Sequence, residues 1–84
     1  MIKMPRIKGW MKIYQIKSPS GTEIRRDYQN RKSKTEIVIM TPTEGLCSVD
    51  IIDITGRRIG GRVFKTKKQA LKYAKAWMKK HPEG

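Results

Sequence analysis

The segment from residue 64 to residue 80 has the spacing of one amphipathic α-helix. At about 100° per residue its apolar side chains share one stripe and its lysines cluster on the opposite side. The stripe contains Ala70, Leu71, Ala74, Trp77 and Met78, with Tyr73 at its edge, and the lysines are Lys68, Lys72, Lys75 and Lys79. One side of the helix is therefore predicted to be core, and the other to be a solvated lysine surface.

Both ends of this helix have recognisable signals. Thr66 followed three residues later by Gln69 has the form of a capping box, which satisfies free amide groups in the first turn. His81 precedes Pro82, and a residue before proline is driven out of helical geometry. We therefore expect the helix to begin after Thr66 and to end near Lys80.

A lone amphipathic helix needs a flat apolar partner, which predicts a β-sheet in the preceding chain. Alternating or β-branched runs predict strands over 10–17, 22–28, 35–41, 46–55 and 59–64. The predicted fold class is α+β, an antiparallel sheet of four to five strands with one C-terminal amphipathic helix packed on one face. Residues 1–9 are predicted to be a basic N-terminal arm, and residues 10–84 a single domain.

Several strands carry finer expectations. Trp10, Tyr14 and Ile16 stand near alternate positions, which predicts a shared face opposite Met11 and Ile13. Residues 35–41 are apolar throughout their centre, as in a strand covered on both faces. Apolar residues on both faces of the 46–55 strand indicate a central strand or a bulge. The paired glycines at 60 and 61 fit a bulge or a close backbone approach.

The net charge of +13 in 84 residues is the main functional indication, because such a charge disfavours a compact fold. Residues 1–34 carry a net +8, residues 35–64 a net −1 and residues 65–84 a net +6. This distribution favours a central region that forms the core, flanked by two basic segments that form a surface for a polyanion. The alternative is a lysine-rich surface of a soluble, thermophilic type.

The sequence contains few residues of the kinds that indicate a cellular compartment or a catalytic chemistry. Cys47 is the single cysteine, in an apolar setting that predicts a small buried residue in a reducing, cytoplasmic environment. His81 is the single histidine, beside a proline, and reads best as a cation at the helix end. Asp50 and Asp53 fall on opposite faces of a regular strand. We expect no enzymatic activity, metal or cofactor.

Three groups of basic and aromatic residues are candidate binding sites. Arginine binds phosphate or guanine through a planar fork, and aromatic rings stack on bases. The groups are Arg57, Arg58 and Arg62 around the last strand pair, Arg31, Lys32 and Lys34 in a polar loop expected to be mobile, and Lys12, Arg25, Arg26, Trp10 and Tyr14 on the first hairpin. The alternatives are a solvated hairpin tip for the arginines and core packing for the aromatic residues.

The run G-R-R-I-G-G-R-V-F-K-T-K-K-Q-A-L-K-Y-A resembles the last hairpin and helix of the three-strand-plus-helix DNA-binding domains of plant ethylene-response factors and of the arm-binding domains of phage-type integrases. The resemblance covers residues 46–76. The shared elements are Gly56, Arg57, Arg58, Phe64, Thr66, Ala70 and Ala74. It implies that the sheet enters the DNA major groove, with Arg57, Arg58 and Arg62 directed toward bases or phosphates.

The sequence therefore predicts a small noncatalytic nucleic-acid-binding protein, for DNA rather than RNA, that contacts phosphates through the sheet, the loop and the arm. The alternative hypothesis is a protein-interaction module, or a ribosome-associated protein, that binds an acidic partner along a free sheet edge. A homodimer through exposed strand edges is also left open.

Overall fold

The computed structural model describes residues 7–42 and 45–84. Residues 1–6 of the predicted arm lie outside this range, as do residues 43–44 between the predicted strands 35–41 and 46–55. The elements are β1 (Trp10–Lys17), β2 (Glu23–Asn30), β3 (Glu36–Met40), β4 (Cys47–Ile52), β5 (Arg58–Phe64) and α1 (Lys67–Lys80).

The five strands form one antiparallel sheet in the order β1-β2-β3-β4-β5, so each strand pairs with its neighbour in sequence. The helix follows the last strand and packs against β3, β4 and β5. The predicted α+β class, with five strands and one C-terminal helix, is confirmed.

The limits predicted for the helix are also confirmed. Thr66 is the N-cap in extended conformation, and its hydroxyl accepts a hydrogen bond from the Gln69 amide at 3.2 Å. His81 is the C-cap, where the residue before Pro82 leaves helical geometry. With fourteen residues, six of them lysines, the helix is too short and too polar to cross a membrane.

The core lies between α1 and one face of the sheet. Ala70, Ala74 and Met78 are fully buried against the strand residues Ile37, Ile39, Val49 and Ile51. The small alanines allow the helix backbone to approach the branched side chains of the two central strands closely. We call this face of the sheet the helix side, and the opposite face the open face.

The prediction that β3 is covered on both faces is wrong. Ile37 and Ile39 are buried on the helix side, whereas Val38 is half-buried and Met40 is 37% exposed on the open face. A single helix covers only one layer of the sheet, so the alternate residues of a continuous apolar run remain accessible.

Each edge strand contains a bulge. In β1 the pairing moves from Lys12 with Tyr28 to Tyr14 with Asp27, which leaves Ile13 as the extra residue. In β5 it moves from Arg58 with Ile52 to Gly60 with Ile51, which leaves Ile59 extra. Such bulges interrupt the hydrogen-bonding edge that another strand would extend.

The bulge at Ile13 explains why one predicted face was wrong. Trp10 and Lys12 lie on the helix side, and Trp10 is buried in the core. After the bulge the alternation reverses, so Tyr14 and Ile16 lie on the open face, as Met11 does. Trp10 and Tyr14 therefore do not share a surface.

The two adjacent glycines have different roles. Gly61 has φ +146°, and a Cβ at this position would collide with the backbone oxygen of Val49 in the neighbouring strand. A Cβ at Gly60 would meet only the Ile51 side chain, at 3.3 Å. Gly61 is therefore the residue at which the two backbones approach closely, and the bulge lies two residues earlier, at Ile59.

Candidate nucleic-acid interface

The structure divides the eleven predicted site residues among three regions. Directly paired residues of neighbouring strands share a face, so the register assigns each side chain to a side of the sheet. Tyr14, Arg25 and Arg58 lie on the open face; Trp10, Lys12, Arg26 and Arg62 lie on the helix side; Arg31, Lys32, Lys34 and Arg57 lie in loops at one end of the sheet.

On the open face, Arg25 is held by its own strand. Its Nε and Nη2 donate to both carboxylate oxygens of Asp27 at 3.0 and 2.9 Å, and its guanidinium lies 5.2 Å from the Tyr14 ring centroid. Asp27 is buried beneath this arrangement. The hydrogen bond with Asp27 raises the pKa of Arg25, more than the loss of solvent lowers it. This arginine is occupied by an internal partner.

The three arginines around β5 point in different directions. Arg58 donates through Nε to Asp50 at 2.9 Å on the open face. Arg62 pairs with Val49 and is exposed on the helix side, whereas Arg57 lies exposed in the β4–β5 turn. The bulge at Ile59 and the irregular backbone at Gly61 separate these side chains, so the three do not form one patch on the sheet.

On the helix side, Arg26 is neutralised by a buried carboxylate. Arg26 donates to the Glu23 carboxylate through Nε and Nη2 at 3.1 and 2.9 Å. The Gln15 side chain also donates to Glu23, and the Lys67 Nζ of α1 lies 3.9 Å from the second carboxylate oxygen. Burial alone would raise the pKa of Glu23, but these hydrogen bonds and positive charges lower it overall. Glu23 therefore stays charged and joins the helix start to β2.

Trp10 is a core residue in the structure. It is 5% exposed, its ring meets Trp77 edge-on at 5.9 Å between centroids, and its indole Nε1 donates to the His81 carbonyl at 2.8 Å. Its ring is therefore not accessible to a base, and we leave it out of the interface. Tyr14, 48% exposed, remains accessible on the open face.

The β2–β3 loop has an anchor that we did not anticipate. Asn30 is fully buried, and its side-chain oxygen accepts hydrogen bonds from the amides of Lys32 and Ser33 at 2.9 and 3.1 Å. Its amide nitrogen donates to the Pro82 carbonyl at 3.0 Å. This side chain therefore fixes the loop and joins it to the chain after α1.

Within that loop the three cations differ in their partners. Lys32 pairs with Glu83 at 2.8 Å, and this hydrogen bond raises the pKa of Lys32 and lowers that of Glu83. Arg31 and Lys34 are exposed and make no salt bridge within the described part of the chain. They are the loop cations available to an external anion.

The β4–β5 turn lies at the same end of the sheet, because Gln29 pairs with Glu36 and Glu36 with Ile52. Asp53 organises this turn by accepting hydrogen bonds from the amides of Thr55 and Arg57 at 2.9 and 3.0 Å. Hydrogen bonds from the Thr55 side chain and the Arg57 backbone lower the pKa of Asp53. The Asp53 carboxylate thus bonds backbone amides of the turn, and the Arg57 guanidinium forms no salt bridge with any residue described.

Residues 7–9 also belong to this end of the sheet. Ile7 packs against the core, and the Gly9 carbonyl accepts a hydrogen bond from the Arg31 amide at 2.8 Å. A Cβ on Gly9, which has φ +84°, would collide with the Pro82 carbonyl oxygen. The described part of the predicted arm is therefore docked on the domain.

The lysines of α1 were not among the predicted site residues. Their stripe was visible in the sequence, but a solvated helix face needs no ligand and gave no reason to select it. Lys68, Lys72 and Lys79 are exposed and Lys75 half-buried, and none forms a salt bridge with a described residue. Because α1 contains no carboxylate, this face is uniformly positive.

The molecule is therefore electrically two-sided. We call the outer face of α1 together with the loops at this end of the sheet the basic surface; its members without an internal salt bridge include Arg31, Lys34, Arg57, Lys68, Lys72, Lys75 and Lys79. The open face instead carries Arg25 and Arg58 against Asp27, Glu36 and Asp50. Cations without internal partners are thus concentrated on α1 and at one end of the sheet, away from the open face.

The described residues contain no group of three side chains suited to hold a metal ion, and Cys47 is buried in the core. No protein-family model, curated protein or solved structure matches this chain.

Proposed function

We propose that this protein is a noncatalytic nucleic-acid-binding protein whose basic surface binds the phosphate backbone. The observation that carries the proposal is the separation of its cations. Arg25 and Arg58 of the open face are paired with carboxylates, and Lys32 of the β2–β3 loop is paired with Glu83. The other loop cations and the helix lysines named above have no such partner among the described residues. Such a surface suits the phosphates of a nucleic acid, because their neutralisation by Lys and Arg releases condensed counterions.

The spacing of the helix lysines supports a backbone contact. Lys68 and Lys79 are eleven residues apart, which places them about 16 Å apart along the helix axis at about 1.5 Å per residue. A stripe of this length spans several consecutive phosphates of a duplex. Arg31, Lys34 and Arg57 extend the positive surface beyond the C-terminal end of α1.

The proposed ligand is DNA rather than RNA, and this preference rests on the resemblance of residues 46–76 to DNA-binding domains. The proposed mode differs from the one implied by that resemblance. There the sheet enters the major groove, whereas here Arg58 is paired on the open face and Arg62 lies on the helix side. The basic surface is the better candidate for contact with phosphates.

The test is a fluorescence-anisotropy titration against duplex DNA, single-stranded DNA and structured RNA, each at several salt concentrations. If about six phosphates are neutralised, the slope of log affinity against log salt is near −5 on duplex DNA. Preferential binding to RNA would reject the DNA assignment while keeping the phosphate-binding surface. Weak binding to all three, without a salt dependence, would reject the proposal.

Adjacent arginines provide a matched control. Arg57→Gln and Arg58→Gln each remove one positive charge, but only Arg57 belongs to the basic surface. We expect Arg57→Gln to weaken duplex binding and reduce the slope by about 0.9, and Arg58→Gln to change neither appreciably. The reverse order of effects would place the contact on the open face.

An acidic protein partner remains the second candidate, because the basic surface also suits clustered carboxylates. The bulges at Ile13 and Ile59 argue against its docking as an added strand. Pull-down before and after nuclease treatment separates the candidates. A partner retained after digestion supports the protein-binding function, whereas loss of every partner supports nucleic-acid binding.

A further inference from the structure

The open face exposes an apolar surface that the fold itself does not cover. It lies opposite α1, and its side chains form three cross-strand rows. Its apolar members are Met11, Tyr14, Ile16, Val38, Met40, Ile52 and Val63. Met11, Tyr14 and Ile16 adjoin one another along β1, and Gln29, Asp27 and Arg25 of β2 separate them from Val38 and Met40 of β3. The face is therefore a mixed one, in which apolar side chains alternate with polar and charged ones.

The charges on this face are largely compensated within it. Arg25 is paired with Asp27 and Arg58 with Asp50, each at 2.9 Å, and Glu36 is the remaining carboxylate of the face. The open face is therefore close to neutral on a chain of net charge +13. It is the side on which a second equally charged molecule meets the least repulsion.

We infer that two copies of this chain associate through their open faces to form a symmetric, two-sheet sandwich. Two open faces match in composition, since both combine apolar side chains with charges that are mostly paired within the same face. Two basic surfaces would repel each other. An interface between like patches is also the usual arrangement in twofold dimers. The inference does not depend on nucleic-acid binding.

The size of the open face fits this arrangement. Five strands about 4.8 Å apart and about six residues long cover a face of roughly 24 by 20 Å. Two such faces, with the added relief of their side chains, approach the roughly 1,200 Å² at which specific interfaces begin. Packed sheets lie about 10 Å apart, which leaves room for the side chains of both inner faces.

The dimer would place both copies of α1 on the outside. The two basic surfaces would then face in opposite directions, and Tyr14 would be covered. If the proposed function holds, one dimer presents a phosphate-binding surface on each side and bridges two nucleic-acid segments.

Sedimentation equilibrium of the full chain, without nucleic acid, tests this inference. We expect a concentration-dependent mass that rises to twice the 9.8 kDa of one chain. Added salt from about 50 to about 500 mM is expected to strengthen association, because it screens the long-range repulsion between copies. Binding of DNA responds to salt in the opposite direction, so failure of one proposal is distinguishable from failure of the other.

A matched pair of substitutions locates the interface. Met40→Lys adds a charge to the open face and is expected to raise the dimer dissociation constant at least about tenfold. Ile54→Lys makes the same change at a residue that is 71% exposed in the β4–β5 turn, and is expected to leave the dissociation constant unchanged. Circular dichroism checks that both variants are folded, and Val63→Lys replaces Met40→Lys if the latter is not.

A monomeric mass at every concentration would overturn the inference. So would a dimer that tolerates lysine at both residue 40 and residue 63, because it would have to form through another surface. A dimer that Met40→Lys dissociates and Ile54→Lys preserves would support it.

Discussion

The Trp10 indole nitrogen donates a 2.8 Å hydrogen bond to the carbonyl of His81, which joins the first residue of β1 to the residue that caps α1. The two residues are 71 positions apart in the chain. His81 also stacks on Trp77 at 3.8 Å between ring centroids, and Trp77 meets Trp10 edge-on. The C-terminal end of the helix is therefore held by the first strand.

Trp10→Phe should keep most of the apolar contact and remove the indole donor. Because the His81 carbonyl keeps its hydrogen bond from the Gly84 amide at 3.0 Å, we expect the lost bond to lower the unfolding free energy by about 0.5 to 1.5 kcal/mol, measured by urea denaturation. Tyr73→Phe is the control, since the Tyr73 hydroxyl makes no hydrogen bond with any residue described, and it should change stability by less than about 0.5 kcal/mol. Equal stabilities of the two variants would contradict a role for the indole bond.

The Asn30 side chain is expected to control both stability and the shape of the β2–β3 loop. Asn30→Ala would remove a buried acceptor for two amides and the donor to Pro82, for a loss of about 2 kcal/mol or more. Hydrogen exchange should show lost protection at Lys32 and Ser33. Gln29→Ala, on the open face, is the control, and unchanged protection in Asn30→Ala would disprove the anchoring role.

The two adjacent glycines should respond differently to alanine. Gly61→Ala is expected to destabilise the fold by about 2 kcal/mol or more, because it combines a positive φ with a collision against the Val49 carbonyl. Gly60→Ala should change stability by no more than about 1 kcal/mol, because its Cβ meets only a side-chain methyl of Ile51. Thermal denaturation of both variants measures the difference. Equal losses of stability would show that the close approach of Gly61 to the Val49 carbonyl does not exclude a Cβ at residue 61.

Stability should fall in acid partly because of Glu23. Its pKa is lower in the folded protein than in the unfolded chain, so its contribution is present above the ordinary glutamate pKa of about 4.3 and is lost as pH falls through the folded value. We expect Glu23→Gln to be less stable at pH 7 and to show a shallower loss of stability between about pH 5 and pH 3. Parallel curves of unfolding free energy against pH for the wild type and Glu23→Gln would contradict this expectation. The pKa values of Asp53 and Glu83 are lowered too, so some acid dependence should persist in the variant.

Local sequence signals were sufficient for the elements of the fold. The helix was predictable because Thr66, Pro82 and the spacing of its apolar residues all act within a few residues of one another. The strands were predictable from alternating or β-branched runs, and the order β1-β2-β3-β4-β5 follows when each strand pairs with its neighbour in sequence.

The surfaces were harder to predict, because they depend on single-residue irregularities and long-range contacts. One extra residue at Ile13 reverses the faces of Trp10 and Tyr14, and a strict alternation carries no signal for it. The ion pair between Lys32 and Glu83 joins residues 51 apart, and Asn30 contacts Pro82 across 52 positions. Which cations have internal partners therefore depended on the tertiary structure.

The lysine stripe of α1 illustrates the same limit. The sequence placed these lysines on one helix face correctly, but whether carboxylates would face them depended on the sheet. In the structure Glu23, which lies near the helix start, is the carboxylate on the helix side of the described strands. The stripe thus became a candidate surface only after the fold was known.

The salt dependence of duplex-DNA affinity, compared between the wild type and a variant with Lys68, Lys72 and Lys75 all changed to Gln, tests the basic surface most directly. The account predicts a steep slope for the wild type, a slope reduced in magnitude by about 2 to 3 for the triple variant, and a wild-type slope for Arg58→Gln. Full affinity and an unchanged slope in the folded triple variant, or a loss confined to Arg58→Gln, would contradict it.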